Sequence, residues 1–320
     1  MSDASADATV WVPATSANLG PGFDCLGLAL DLVDQVSATV VDQPGVRVRV
    51  QVSGEGAGEV PTGEDHLVVR ALRATLGELG APMPPGLLLR ATNRVPHGRG
   101  LGSSAAAVIA GVLLARTLAG VSSSDLDDDG VLGLAMSFEG HPDNAAAALL
   151  GGATIAWVQD GRPRAVRVAV HPDVVPLVLL PTERLATHHA RAVLPAAVSH
   201  EDAAANAGRT ALLVHALSRE PGLLLPATED RLHQSQRRSA MPATLDLVER
   251  LRADGLAAVV SGAGPAVLVL STHRRKQSDV QVMTALTDRL NGEPATWALL
   301  TPGLRTLPAC AEPDWAGPAD

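Results

Sequence analysis

Residues 96–107 read Pro96-His97-Gly98-Arg99-Gly100-Leu101-Gly102-Ser103-Ser104-Ala105-Ala106-Ala107, a glycine-punctuated segment that runs through two serines into an apolar helix pattern. Gly98, Gly100 and Gly102 open backbone conformations closed to other residues and let the main chain approach a ligand closely. The helix that follows offers unpaired N–H groups and the positive end of its dipole to an anion. Together these features predict a phosphate cradle whose ligand is a nucleoside triphosphate. It is not a Walker loop, because no Gly-Lys-Ser/Thr closes it, and Lys276 is the single lysine of the chain. Phosphate must therefore be handled by backbone amides, hydroxyls, arginine and a metal ion.

The surrounding chain suits a two-domain enzyme. Its 320 residues exceed the size at which one core stops growing, and 46% hydrophobic composition supplies ample core material. Two Phe, four Trp and no Tyr leave little for base stacking, and a net charge of −9 disfavours a nucleic-acid backbone. Met1 to Thr9 is acidic and small, unlike a signal peptide, and no apolar run approaches the roughly 18 residues of a membrane span. A cytoplasmic protein with neither nucleic-acid nor membrane partners is expected. Cys25 and Cys310 are too few and too far apart for a disulfide framework or a Cys-x-x-Cys metal site.

Strand-like and helix-like segments are interspersed without an internal repeat, which predicts an α+β fold. Strands are expected at Val10–Val12, Val36–Val41, Val46–Val52, Leu87–Ala91, Ala153–Trp157, Leu177–Leu180, Ala257–Val260 and Val267–Leu270. Helical spacing marks Leu67–Leu79, Ser104–Ala119, Asp125–Ser137, Ala145–Leu150, Ala203–Leu217, Leu223–Arg238, Ala243–Ala253 and Val280–Leu290. The polar turn Gln159–Arg164 sets the expected boundary between an N-terminal unit, 1–160, and a C-terminal unit, 161–320.

Three further segments carry candidate chemistry. Pro13-Ala-Thr-Ser-Ala-Asn18-Leu-Gly20-Pro21-Gly22-Phe23-Asp24 is a loop stiffened by proline and glycine. It fits either a polar substrate site built on Asn18 and Asp24 or a turn whose Asn and Asp bond their own backbone. In Glu139-Gly-His141-Pro142-Asp143-Asn144, Pro142 suits a helix start, and two nearby carboxylates either share a proton or bind a hard cation such as Mg2+. Ser261-Gly262-Ala263-Gly264-Pro265-Ala266 is a small-residue turn between two strands, able to bring a second backbone against the glycine loop's ligand.

In this order and at these separations the motifs resemble the small-molecule kinase superfamily of galactokinases, homoserine kinases, mevalonate kinases and phosphomevalonate kinases. The likeness covers nearly the whole chain. Its narrower form, toward the homoserine kinases, rests on Pro13–Asp24, on Glu139–Asn144, on Ala190-Arg191-Ala-Val-Leu-Pro195 and on His233-Gln-Ser-Gln-Arg237.

The resemblance implies a ribosomal-protein-S5-like N-terminal domain with a left-handed βαβ unit, a ferredoxin-like C-terminal domain, and a site between them. It implies ATP-dependent phosphorylation of the side-chain hydroxyl of L-homoserine, a step of threonine biosynthesis, by a homodimer. ATP would lie on Pro96 through Ala106 with Gly262 and Gly264, and Ser104 with Glu139 would hold Mg2+. Asn18, Asp24, His141, Asp143, Arg191 and Arg237 would surround the amino acid, the arginines taking its carboxylate. Asp143 and Asn144 would be catalytic, with Asp143 either the base or a group that only orients the hydroxyl. Other kinases of the superfamily acting on mevalonate, isoprenoid or sugar, and a non-catalytic nucleotide-binding regulator, are the competing readings.

Overall fold

The computed structural model describes residues 8–41, 47–290 and 297–311. Residues 1–7 of the acidic N-terminus, and Val46, where a strand was expected to begin, lie outside the described residues. The first part of the chain forms β1 (Ala8–Ala17), β2 (Leu26–Val40), β3 (Val48–Gly54), α1 (Leu67–Glu78), β4 (Leu87–Asn93), α2 (Ser103–Leu118), α3 (Asp128–Glu139), α4 (Asp143–Leu150), β5 (Ala153–Gln159) and β6 (Arg162–Val168). It continues with β7 (Val174–Pro181), α5 (Thr187–Ala192), α6 (His200–Ser218), α7 (Leu224–Ala227), α8 (Pro242–Ala253), β8 (Ala257–Val260), β9 (Val267–Thr272), α9 (Lys276–Leu290), β10 (Trp297–Leu300) and β11 (Cys310–Ala311).

A seven-stranded sheet runs β11-β1-β2-β4-β3, with the start of β2 pairing β5, which in turn pairs β6. Within it β3 and β4 are parallel and α1 makes the crossover, the βαβ unit expected of the first domain. The second sheet is antiparallel, in the order β10-β7-β9-β8. Numbered within that sheet the order is 4-1-3-2, with helices after the first and third strands, which is the split βαβ arrangement of ferredoxin-like domains.

Helix α2 carries apolar side chains on all sides because it is buried on all sides. Ile109, Leu113 and Leu114 are essentially inaccessible, each contributing about 1.5–3 kcal/mol by leaving water. Gly111 lets α1 lie directly against it, since a Cβ there would sit 2.4 Å from the Val68 carbonyl oxygen. Alanine-rich α4 packs equally closely on the sheet. A Cβ at Gly27 of β2 would lie 2.6 Å from the Asp143 carbonyl oxygen, so this glycine sets how deep the start of α4 sinks.

Several expected elements differ. The strand expected at Val10–Val12 continues through Pro13 to Ala17, with a register shift between Pro13 and Ala14, so that loop begins only at Asn18. β2 starts at Leu26, ten residues before the expected Val36, because both faces of its first half are covered. Leu223–Arg238 is not one helix: only Leu224–Ala227 is α-helical, and Ser235–Arg237 is a single 3₁₀ turn. The Asp230 carboxylate takes the N–H groups of Leu232, His233 and Gln234 that a helix would have used. Residue 160, the expected boundary, is the tip of the β5–β6 hairpin, and both strands belong to the first sheet.

Candidate active site

The glycine loop begins where β4 ends. Gly98, Gly100 and Gly102 all have left-handed backbone, with φ of 65°, 79° and 70°. A Cβ at Gly102 would fall 1.9 Å from Thr15 Oγ1, and one at Gly100 would fall 2.3 Å from the Ser261 carbonyl oxygen. The loop is thus pressed between β1 and the turn 261–266. Thr15 N donates to Leu101 O, Ala266 N donates to Arg99 O, and Ser261 Oγ donates to Gly100 O and lies in hydrogen-bond contact with Ser16 Oγ. No side chain caps α2 at Gly102, so the start of the helix is left for an anion.

That helix start opens into a cavity of about 230 Å3, whose lining includes Gly98, Gly100, Gly102, Ser103, Ser104 and Ala105 on one side and Glu139, His141, Asp143 and Asn144 on another. Asn18, Thr187, Arg191, Arg237 and Gly262 complete it. Sequence positions from residue 18 to residue 262 therefore meet in one place, across both sheets.

Ser104 Oγ donates to Glu139 Oε1. These are two hard oxygen ligands side by side at the helix start, a donor set that fits Mg2+ shared with phosphate oxygens. Asp143, at the first turn of α4, is 1% exposed. Its Oδ1 accepts from His141 Nδ1 at 2.6 Å and from Asn144 N at 2.8 Å, while no described residue hydrogen-bonds to its Oδ2. Burial works against a charged His141, but the bond and charge of Asp143 outweigh it and raise its basicity. Asn144 Oδ1 accepts from Thr15 Oγ1 at 2.9 Å, which ties α4 to β1 beside Gly102.

Asp24, with φ of 53°, faces Arg191 in a two-bond ion pair, each side chain about one third exposed. Oxygen or nitrogen atoms of Asp24, His141 and Asp143 lie within 4.8 Å of one another, an electronegative cluster suited to an ammonium group or a cation. Arg237 is buried, and burial together with the Arg191 charge pulls its guanidinium down to about 10, still protonated at neutral pH. Its Nε donates to Ala190 O, and Nη1 reaches Gly262 O and His233 Nδ1. Asn18 is similarly engaged: its amide donates to Gly262 O and accepts from Asp24 N, so it frames the loop that presents Asp24.

The remaining loop residues divide between packing and a second cavity. Leu101 is part of the hydrophobic core and Pro96 is buried. His97 leans on the turn at Gly56 and lines a mainly apolar cavity of about 280 Å3 on the other side of Ser103 and Ser104. Ala106 and Ala107 of α2, Val36, Val60, Pro61, His66 and Val68 line it too. Burial lowers the basicity of both His66 and His97.

Sequence reasoning missed Thr187, one turn before Arg191 on α5, which lines the first cavity. Its spacing to Arg191 was the available signal. It also missed Phe23, which stacks on His233 at 4.9 Å and lies under both Arg191 and Arg237. No pattern in the sequence marks either His66 or Asp34 as cavity residues.

A phosphate cradle at a helix start, faced by carboxylates of α3 and α4 and by arginines of α5 and the 235–237 turn, defines a phosphotransferase of small molecules. The models of the GHMP kinases N-terminal and C-terminal domains match residues 66–152 and 210–286. The chain belongs to the GHMP kinase family. It is 54% identical over 262 residues to a homoserine kinase of Streptomyces avermitilis, covering 82% of this chain and 85% of that one. It is 49% identical over 312 residues to a homoserine kinase of Leifsonia xyli, covering 97% and 95%. A crystal structure of homoserine kinase from Cytophaga hutchinsonii superposes with a TM-score of 0.82 at 27% identity, over 97% of this chain and 99% of that one. Among the described residues no helix is long and apolar enough to cross a membrane.

Proposed function

We propose that this chain transfers the γ-phosphoryl group of ATP to the side-chain hydroxyl of L-homoserine, giving O-phospho-L-homoserine and ADP. The observation that carries the reading is the charge layout beneath the glycine loop. Asp24, His141 and Asp143 converge beside the acceptor cavity, and Arg191, which lines it, is paired with Asp24. An amino-acid zwitterion fits between Asp24 and Arg191, each partner exchanging the other for the oppositely charged end of the ligand. Arg237 supports this by holding Gly262, Ala190 and His233 in place.

ATP phosphates would rest on the N–H groups at the start of α2, with the base in the cavity of His66, Val60 and Pro61. Ser104 and Glu139 would hold Mg2+, which supplies charge neutralisation of the phosphates. The acceptor hydroxyl then lies by Asp143 Oδ2, the oxygen that no described residue engages. As the hydroxyl attacks phosphorus, Asp143 takes its proton, and His141 on Oδ1 together with Asn144 holds the carboxylate in place. With no lysine near the cavity, this carboxylate is the available base. The resemblance further implies a cytoplasmic homodimer, which light scattering and cell fractionation test.

Purified protein supplied with ATP, Mg2+ and a panel of alcohols tests the reading. L-homoserine should be the best acceptor, with mevalonate, galactose and the amino alcohol lacking a carboxylate at least about 10²-fold poorer in kcat/KM. Preference for mevalonate or a neutral sugar would overturn it.

A further inference from the structure

The second cavity holds two polar atoms that the protein leaves unmet. Asp34, on β2, is 7% exposed, and its Oδ1 accepts from the backbone N–H groups of Arg94 at 2.6 Å and Val95 at 2.9 Å. The β2–β4 ladder ends at Gln35 and Thr92 and β4 itself at Asn93, so Oδ1 takes the two amides that follow as the chain leaves the sheet for the glycine loop. Its other oxygen, Oδ2, has no hydrogen-bond partner among the described residues. His66 is 6% exposed, and its Nδ1 is buried without a partner. Both residues line the cavity, where their neighbours are mainly apolar. A buried polar atom without a partner, as His66 Nδ1 is, is costly and rare and at a cavity wall marks a group a ligand completes; Asp34 lines the same cavity with an oxygen open to a donor.

Taking this cavity as the nucleotide's base site, as in the function proposed above, we infer that Asp34 selects the base. Its Oδ2 accepts a hydrogen bond from the 6-amino group of adenine. A base with a carbonyl at that position would set oxygen against the carboxylate, both of them acceptors. His66 Nδ1 meets a ring nitrogen of the same edge. Asp34 therefore does two things with two oxygens: one aims the chain into the phosphate loop and the other reads the purine.

The test compares ATP with ITP, GTP, purine riboside triphosphate, which lacks the 6-amino group, and 3′-deoxy-ATP, by kinetics at saturating L-homoserine and by calorimetric binding. The wild-type protein should favour ATP over ITP and GTP by about 10²-fold or more. It should favour ATP over the amine-less purine by about tenfold, with 3′-deoxy-ATP within threefold of ATP. In Asp34→Asn the side-chain oxygen still accepts from Arg94 and Val95 while an NH2 group replaces Oδ2. The ATP-to-ITP ratio should then collapse by at least about tenfold, with KM for L-homoserine little changed. Equal use of ATP, ITP and the amine-less purine by the wild-type protein overturns the inference, whether or not the variant folds. So does a loss confined to 3′-deoxy-ATP, which would move Asp34 to the sugar, or an equal loss for every nucleotide in Asp34→Asn, which would leave only loop positioning. Discrimination in binding without transfer to L-homoserine would support the base selection while failing the acceptor assignment.

Discussion

Asp143→Asn is the most informative single change, because the substituted side chain keeps its shape and loses only its charge. The amide oxygen still accepts from Asn144 N, now 2.8 Å from Oδ1, so α4 should start as before and ATP should bind normally. His141 responds differently. Its ordinary value is 6.5; burial and the Arg191 charge pull it down, and the largest contributions that lift it are the hydrogen bond and charge of Asp143, with the Asp24 charge adding to them. Removing the Asp143 contributions leaves burial as the largest influence, and the imidazole should titrate lower in the variant than in the parent. The sign for stability follows. A raised histidine stabilises the fold below about 6.5 and loses that contribution as pH rises through its folded value, so the variant should be weakened relative to the parent at acidic pH and little changed at pH 8. Turnover should fall about 10²–10⁴-fold through loss of the base, with KM for ATP within about twofold. Steady-state kinetics with an NMR titration of His141 measures both. Turnover within threefold of the parent, with His141 shifted as expected, would refute Asp143 as the base and leave it an orienting group.

Four further outcomes follow from the same geometry. Ser104→Ala and Glu139→Gln should each lower turnover about 10²-fold, roughly 2.7 kcal/mol of lost transition-state stabilisation, and raise the Mg2+ concentration needed for half-maximal rate; an unchanged Mg2+ profile removes that residue from the metal set. Arg191→Ala should raise KM for L-homoserine by on the order of 10²-fold without moving KM for ATP, and an equal change in both would contradict its place on the acceptor. Arg237→Ala should also lower the melting temperature, because it strips the carbonyl of Ala190 of this donor and leaves that of Gly262 with Asn18 alone; calorimetry separates this from the kinetic effect. Burial pushes the Asp34 carboxyl from 3.8 up to about 6, so its ionisation opposes folding by about 3 kcal/mol at neutral pH. Asp34→Asn should therefore be more stable than the parent above pH 6 and equal to it below pH 4, a gain absent if Asp34 is solvated in the native state.

What was legible in the sequence was local. The glycine spacing, the two serines and the apolar run declare a helix start that takes an anion, and Pro142 declares the start of α4, because each is written in consecutive residues. The acceptor cavity was legible only as separate motifs, since nothing in sequence brings Asp24, Arg191 and Gly262 together across two sheets. Where one buried group reorganises its neighbours, local reading fails. Asp230 captures three amides and breaks a helix whose spacing looked continuous, and polar Gln159–Arg164 resembles a linker though cross-strand pairing makes it a hairpin tip. Asp34 is invisible for the same reason: apart from Val36, its neighbours in the cavity come from residues 60 to 107.

The most direct measurement follows ADP release by purified protein with ATP and Mg2+, with and without L-homoserine, and identifies the product by phosphorus NMR. Homoserine phosphorylation predicts ADP formed in step with L-homoserine consumed and one new phosphomonoester resonance matching O-phospho-L-homoserine. ADP release that ignores L-homoserine, or inorganic phosphate as the sole product, would contradict it.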